Sequence, residues 1–237
     1  MSQGTPWKNT FVIGDIHGAH RALQQCLQRS GFDYEHDRLI ALGDVCDGWP
    51  DTRDAIDALM RIRHLVYLLG NHDYLALQWM KYGVAEDLWL KQGGRETIAS
   101  YQYTGVPESH IQFLDKAHLY FLEDNKLFVH AGIKFYLGLE QQDHEVFLWD
   151  RELVQTALYD KSQGKEAPLT SYDEIYVGHT VMKAQHPVHA CEVWMMDTGA
   201  GWSGVLSMMN VETKQIFQSD PVPQLYPGVQ GRKAYRG

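Results

Sequence analysis

Short apolar runs that stop abruptly at Gly, Asp, Asn or His recur along this chain. Phe11-Val12-Ile13 leads into Gly14-Asp15-Ile16-His17-Gly18, and Leu39-Ile40-Ala41-Leu42 into Gly43-Asp44. Leu65-Val66-Tyr67-Leu68-Leu69 leads into Gly70-Asn71-His72-Asp73, and Leu127-Phe128-Val129 into His130-Ala131-Gly132. Ile175-Tyr176-Val177 leads into Gly178-His179-Thr180, and Val193-Trp194-Met195-Met196 into Asp197-Thr198-Gly199. Runs this short and apolar predict strands buried on both faces. Between them lie amphipathic stretches. One runs from Ala19 to Ser30, with Leu23, Cys26 and Leu27 at helical spacing and Gly31 as its stop. Another runs from Asp51 to His64, with Ala55, Leu59 and Ile62 on one face and Asp51 or Thr52 as its cap.

This alternation of strand and helix predicts an α/β fold, in which ligands sit beyond the carboxyl ends of the strands. The stretch 74–118 breaks the rhythm. It is aromatic and helical in pattern, is divided by Gly93-Gly94, and is expected to be a helical insertion beside the site. Its Trp79, Trp89 and Tyr101 read first as core and second as a substrate wall. Val205 to Met209 and Gln215 to Gln218 predict a hairpin. A single domain over 1–220 is expected, followed by a C-terminal tail over 221–237 that is rich in Pro, Gly and basic residues.

The strand ends carry the candidate chemistry. Asp15 and His17, two apart on an extended segment, would point the same way and grip one metal. Asp44 has two carboxylate oxygens and can bridge two ions. Asn71 offers an amide oxygen, and His130 and His179 add ring nitrogens. A donor set of Asp, Asn and His without thiolate suits manganese, iron or zinc better than calcium or copper(I). Any one of these residues alone reads as a turn or a structural histidine. Together, at successive strand ends, they read as one shared site. Cys46 reads as a small buried side chain, and His186 and His189 as surface residues.

The remaining composition narrows the picture. With 21 Lys and Arg against 30 Asp and Glu, the formal net charge is −9, which disfavours tight non-specific nucleic-acid binding. Three irregularly spaced cysteines imply neither a disulfide framework nor a zinc ribbon. The polar stretch Met1 to Lys8 lacks a signal-peptide core, and no apolar run approaches a membrane span. A cytoplasmic protein without a membrane partner is expected.

Gly14-Asp15-Ile16-His17-Gly18, Gly43-Asp44-Val45-Cys46-Asp47, Gly70-Asn71-His72-Asp73, His130-Ala131-Gly132 and Gly178-His179-Thr180 together resemble the ordered signature of the calcineurin-like metallophosphoesterases. Within that family they resemble the phosphoprotein phosphatase branch in its small bacterial and bacteriophage-lambda form. Trp149-Asp150-Arg151-Glu152 and Asp197-Thr198-Gly199-Ala200 also resemble that branch. The resemblance spans roughly residues 11 to 218 and implies a sandwich of mixed β-sheets flanked by helices. It also implies roles. Asp15, His17 and Asp44 would hold one metal, and Asp44, Asn71, His130 and His179 a second, with manganese first among the candidates. His72 would protonate the leaving oxygen, oriented by Asp47, and Arg151 would bind the phosphate.

The family's second loop normally continues Asp-Arg-Gly, and its Arg binds phosphate. Here Asp47 is followed by Gly48-Trp49-Pro50, and Leu69 stands where many relatives carry Arg. Arg53, Arg95 or Arg151 could supply the missing guanidinium, and only Arg151 matches a family position. If the loop keeps the family's path, Trp49 becomes a pocket wall. The resemblance thus implies hydrolysis of phosphoserine or phosphothreonine in a phosphorylated protein, or of a small phosphate ester, by direct in-line attack of a hydroxide shared by the two metals. The alternative is a dinucleoside polyphosphate hydrolase. A catalytically silent metal-binding regulator is disfavoured because His72 and Asp47 are both retained.

Overall fold

The computed structural model describes residues 6–232. Two five-stranded mixed sheets pack face to face. The first contains β1 (Thr10–Ile13), β2 (Arg38–Ala41), β3 (His64–Tyr67), β9 (Ser207–Asn210) and β10 (Ile216–Gln218), in the order β10-β9-β1-β2-β3. The second contains β4 (Tyr120–Glu123), β5 (Lys126–Val129), β6 (Glu174–Val177), β7 (Val188–Ala190) and β8 (Val193–Met195), in the order β4-β5-β6-β8-β7. β1, β2 and β3 run parallel to one another, and so do β5, β6 and β8; the outer pairings are antiparallel.

The two-residue period of a strand explains why the apolar runs are continuous. Val12, Ile40, Phe128 and Tyr176 point inward and meet Leu42, Leu68, Met196 and Met209 between the sheets. Phe128 and Tyr176 stack there at 4.7 Å. Their neighbours Phe11, Ile13, Leu39 and Ala41 face outward, under α1 (His20–Ser30) and α2 (Thr52–Met60). On the far side, Leu127, Val129, Ile175 and Val177 pack beneath α8 (Glu152–Ser162). α1 buries Ala22, Leu23, Cys26 and Leu27 and ends at Gly31, whose φ of 67° is the left-handed stop. Each buried Leu or Ile on these faces stabilises the fold by about 1.5–3 kcal/mol.

The insertion holds α3 (Asn71–Tyr82), α4 (Asp87–Trp89), α5 (Arg95–Tyr101) and α6 (Glu108–Asp115), with a kinked turn at Leu90–Gly94 between α4 and α5. The kink falls at Gly93, where φ is 117°. α7 (His144–Trp149) precedes α8, and the short α9 (Val222–Leu225) lies against α1. Residues 233–237 of the expected tail lie outside the described residues. α2 stops at Met60, short of the expected His64, because His64 already belongs to β3. β4 and β7 have no counterpart in the apolar pattern. β4 is an edge strand with Leu122 45% exposed, and β7 is three residues that follow Pro187. Among the described residues no helix is long and apolar enough to cross a membrane.

Candidate metal centre

All six polar strand ends open on one edge of the sandwich, and the predicted ligands meet there. The loop after β1 does not stay extended. His17 adopts a left-handed φ of 51°, and the amides of Ile16 and His17 both donate to the Asp44 carbonyl, at 3.0 and 2.8 Å. The turn still delivers both side chains, with Asp15 Oδ2 4.0 Å from His17 Nε2. Asp44, Asp47 and His179 also have positive φ, at 53°, 74° and 58°. Four non-glycine residues of one site in this sparsely populated region mark a backbone held in place by its surroundings. Gly70 and Gly178 are required for close approach: a Cβ on either would stand 2.1 Å from Asp44 Oδ1 or Asp15 Oδ1 respectively.

Asp15, His17, Asp44, Asn71 and His130 are each at most 2% exposed; His179 is partly exposed. The donor atoms form two triads, Asp15–His17–Asp44 and Asp44–His130–His179, each within 4.8 Å, and they share Asp44. Asp44 Oδ2 lies 3.6 Å from both His17 Nε2 and His130 Nε2. Asn71 Oδ1 joins the second triad, 3.0 Å from His130 Nε2 and 2.9 Å from His179 Nδ1.

Whether cations fit is answered by the protons. His17 Nδ1 donates to the Cys46 carbonyl at 3.0 Å, and His130 Nδ1 to the Leu42 carbonyl at 2.7 Å. Both Nε2 atoms therefore turn lone pairs into the site, as second-partner bonding does for ligating histidines. The His130 lone pair then faces the Asn71 oxygen, acceptor against acceptor, an arrangement that a cation resolves. Burial, with repulsion from Asp197 and Asp44, drives the Asp15 carboxyl well above its ordinary range. Burial and Asp73 do the same to Asp44, and burial raises Asp197 to about 6. Burial also lowers the pKa of His17, pushes His130 down to about 4 and drops His179 far below its usual value. Neutral imidazoles beside crowded buried carboxyl groups are a cation-binding arrangement.

His72 stands beside these groups, its ring centroid 5.1 Å from that of His17. Its Nδ1 donates to Asp47 Oδ2 at 2.6 Å. Trp89 Nε1 donates to the same oxygen and Thr97 Oγ1 to Oδ1, each at 2.7 Å. Asp47 is fully buried, and burial raises its carboxyl to about 7 against the three donors that favour the anion. Burial and the Arg232 guanidinium lower the His72 pKa. Burial thus disfavours the charged form of both partners, which the 2.6 Å bond joins.

Several members of this site are not evident from the sequence pattern. Asp73 is fully buried and accepts from the amides of Asp44, Cys46 and Gly70 and from the Tyr67 hydroxyl, at 2.6–3.1 Å, tying α3 to the Asp44 loop. Its place in the Gly70-Asn71-His72-Asp73 run was the available signal. Trp89 and Thr97 come from the insertion, and no spacing rule announces that they reach Asp47. Trp49 corrects the pocket-wall expectation. It is 1% exposed, stacks on Tyr226 at 5.1 Å and donates from Nε1 to the Ala200 carbonyl at 2.7 Å. Trp89 is buried, as a core reading has it, yet its indole N–H makes it part of the site. Arg151 is exposed at the start of α8 and acts electrostatically on His130, His179 and Asp197. Arg53 is engaged with Thr104 and Asp57, and Arg95 is exposed on α5. His186 and His189 are both exposed, and His189 stacks on Trp194.

The chain is similar to several known proteins. Serine/threonine-protein phosphatase 1 of Salmonella typhimurium is 27% identical over 87% of this chain and 93% of its own length. An asymmetrical bis(5'-nucleosyl)-tetraphosphatase of Bacillus cereus is 25% identical over 92% of this chain and 95% of its own. A crystal structure described as a candidate diadenosine tetraphosphatase shares the fold, with a TM-score of 0.68, 18% identity and coverage of 92% of this chain and 95% of that one. Residues 9–194 match the calcineurin-like phosphoesterase family, so the chain belongs to that family and is a metal-dependent phosphatase.

Proposed function

We propose that this phosphatase hydrolyses phosphoserine or phosphothreonine monoesters, with Asp15, His17 and Asp44 holding one divalent cation and Asp44, Asn71, His130 and His179 a second. Manganese suits this mixed oxygen and nitrogen set, and iron or zinc would also fit. When bound, such a pair lowers the pKa of the attacking water and neutralises charge on the phosphoryl oxygens. The chain's own residues do the rest. Asp44 Oδ2, 3.6 Å from both His17 Nε2 and His130 Nε2, would be the ligand common to the two sites. Arg151, at the rim on the His130–His179 side, binds a phosphate oxygen of the substrate. His72 gives its Nε2 proton to the departing oxygen, while Asp47 holds the ring through Nδ1. Asp47 is fully buried, and Trp89 and Thr97 each take a further acceptor position on its carboxylate.

The observation that carries the monoester reading is this buried His72–Asp47 pair. An alkoxide is a poor leaving group, for which a positioned acid contributes about 10²–10⁴-fold. The phosphate leaving group of a phosphoanhydride needs far less protonation. Dinucleoside polyphosphate hydrolysis is the second reading, favoured by the Bacillus cereus relative. Manganese-loaded protein assayed side by side on phosphoserine peptides and on diadenosine tetraphosphate separates the two. Release of orthophosphate from the peptides at the higher kcat/KM supports the proposal; faster cleavage of the dinucleotide overturns it.

A further inference from the structure

The loop after β2 lacks the arginine that the resemblance leads one to expect, but its place is not empty. A Cβ on Gly48 would stand 2.9 Å from Cγ of Arg232 and 3.4 Å from its Cδ. A Cβ on Gly93 would come within 3.2 Å of Arg232 Cγ, and one on Gly201 within 3.2 Å of its Cδ. Three glycines from the β2 loop, the insertion and the loop after β8 thus clear a slot that the aliphatic stem of Arg232 fills. Gly48 has a φ of 99° and Gly93 one of 117°, so a side chain at either would be strained as well as blocked.

The guanidinium at the end of this stem lies inside the site. Its Nη1 donates to His17 Nε2 at 3.0 Å, its Nε to the Gln92 carbonyl at 3.0 Å, and its Cζ sits 4.8 Å from the Trp202 ring centroid. Its charge acts on Asp15, Asp44, Asp47 and Asp197 alike. The segment that delivers it is anchored. Val222 and Tyr226 are at most 2% exposed, Tyr226 stacks on Trp49, and the Leu225 carbonyl accepts from Arg21 at 2.6 Å. The Arg232 amide donates to the Gly201 carbonyl at 2.9 Å. Arg151, exposed at the start of α8, also acts on His130 and His179.

We propose that Arg232, brought in by the C-terminal strap through the slot that Gly48 opens, is the second phosphate-binding guanidinium of this enzyme. This rests on the phosphatase reading above. A cation on His17 Nε2 would exclude the bond from Nη1, so the planar head turns about its Cδ–Nε bond toward the phosphoryl oxygens, while the stem and the Gly201 bond keep it in register. A planar guanidinium offers two parallel N–H donors to a phosphate, which an ammonium does not.

The test is calorimetric titration of inorganic phosphate into manganese-loaded wild-type, Arg232→Ala and Arg232→Lys protein, with metal content and melting temperature measured on each. The expected result is two manganese per chain in all three. Phosphate should bind Arg232→Ala at least about tenfold more weakly than wild type, with Arg232→Lys in between; tenfold corresponds to about 1.4 kcal/mol. Unchanged phosphate affinity in Arg232→Ala overturns the proposal. So does tighter manganese binding with faster turnover in that variant, which would make the strap a plug for the first metal site. Failure of the wild-type protein to bind phosphate or turn over an aryl phosphate would instead count against the phosphatase reading itself.

Discussion

Replacing Asp47 by Asn removes one charge and little else. Asp47 Oδ2 accepts from His72 and Trp89, so an amide oxygen placed there keeps both bonds. The amide nitrogen then faces Thr97 Oγ1, whose own proton can turn to Thr52 Oγ1 at 3.4 Å. What is lost is a negative charge about 4 Å from the imidazole, worth about 4 kcal/mol at an effective dielectric constant near 20. That is about three pK units for His72, which burial and Arg232 already disfavour in its charged form. The protonated imidazole should become rarer by up to about 10³-fold. For Asp47→Asn, kcat on a phosphoserine peptide should therefore fall about 10²–10³-fold, and on 4-nitrophenyl phosphate, whose leaving group needs little protonation, by less than about tenfold. Steady-state assays of both substrates, with manganese content measured on the same preparation, make the comparison. Equal losses on the two substrates, at full metal content, would refute the assignment of His72 as the acid and Asp47 as its partner.

Three further outcomes are expected. Thr97→Val deletes a bond to a buried carboxylate and orphans the Asp47 amide that donates to Thr97 at 2.8 Å; we predict a loss of about 2–3 kcal/mol in denaturant melts, and a change below about 0.5 kcal/mol would contradict it. Chelator-treated protein should lose stability between about pH 7.5 and 9. Asp15 and Asp44 lie well above their ordinary values, so the fold holds protons that the unfolded chain has released; the histidines, lowered in the fold and titrating near 6.5 when unfolded, are neutral in both states above about pH 7.5 and drop out. Thermal melts should show the midpoint falling over this range and manganese removing the fall; a flat or rising midpoint without metal would count against it. Arg151→Ala should raise KM for a phosphopeptide at least about tenfold with metal content unchanged, and a larger effect from Arg53→Ala or Arg95→Ala would misplace the phosphate.

Much of this was legible in the chain because the fold concentrates its chemistry at strand ends. A run such as Phe11-Val12-Ile13 must be a strand buried on both faces, and Asp15 and His17 follow it within one turn. The same logic brings Asp44, Asn71, His130 and His179 to one edge. What stayed hidden depends on contacts distant in sequence. Thr97 and Trp89 reach Asp47 only because the kink at Gly93 folds α5 back over the β2 loop, and that loop–insertion contact is sealed by the Gly48 amide donating to the Gly93 carbonyl. Arg232 lies 215 residues from the histidine it touches, in a segment whose composition reads as a tail. Trp49 misled because its neighbour Gly48 departs from the family pattern, while its own ring is captured by Tyr226, which no local signal pairs with it.

On the proposed ligand set, two divalent cations share Asp44. Anomalous diffraction at the manganese edge, from crystals of manganese-loaded protein, tests it directly. Two peaks about 3.5–4 Å apart are expected, one against Asp15 and His17, the other against Asn71, His130 and His179, with an Asp44 oxygen touching both. A single peak, two peaks without Asp44 between them, or density at His186 and His189 instead would contradict it.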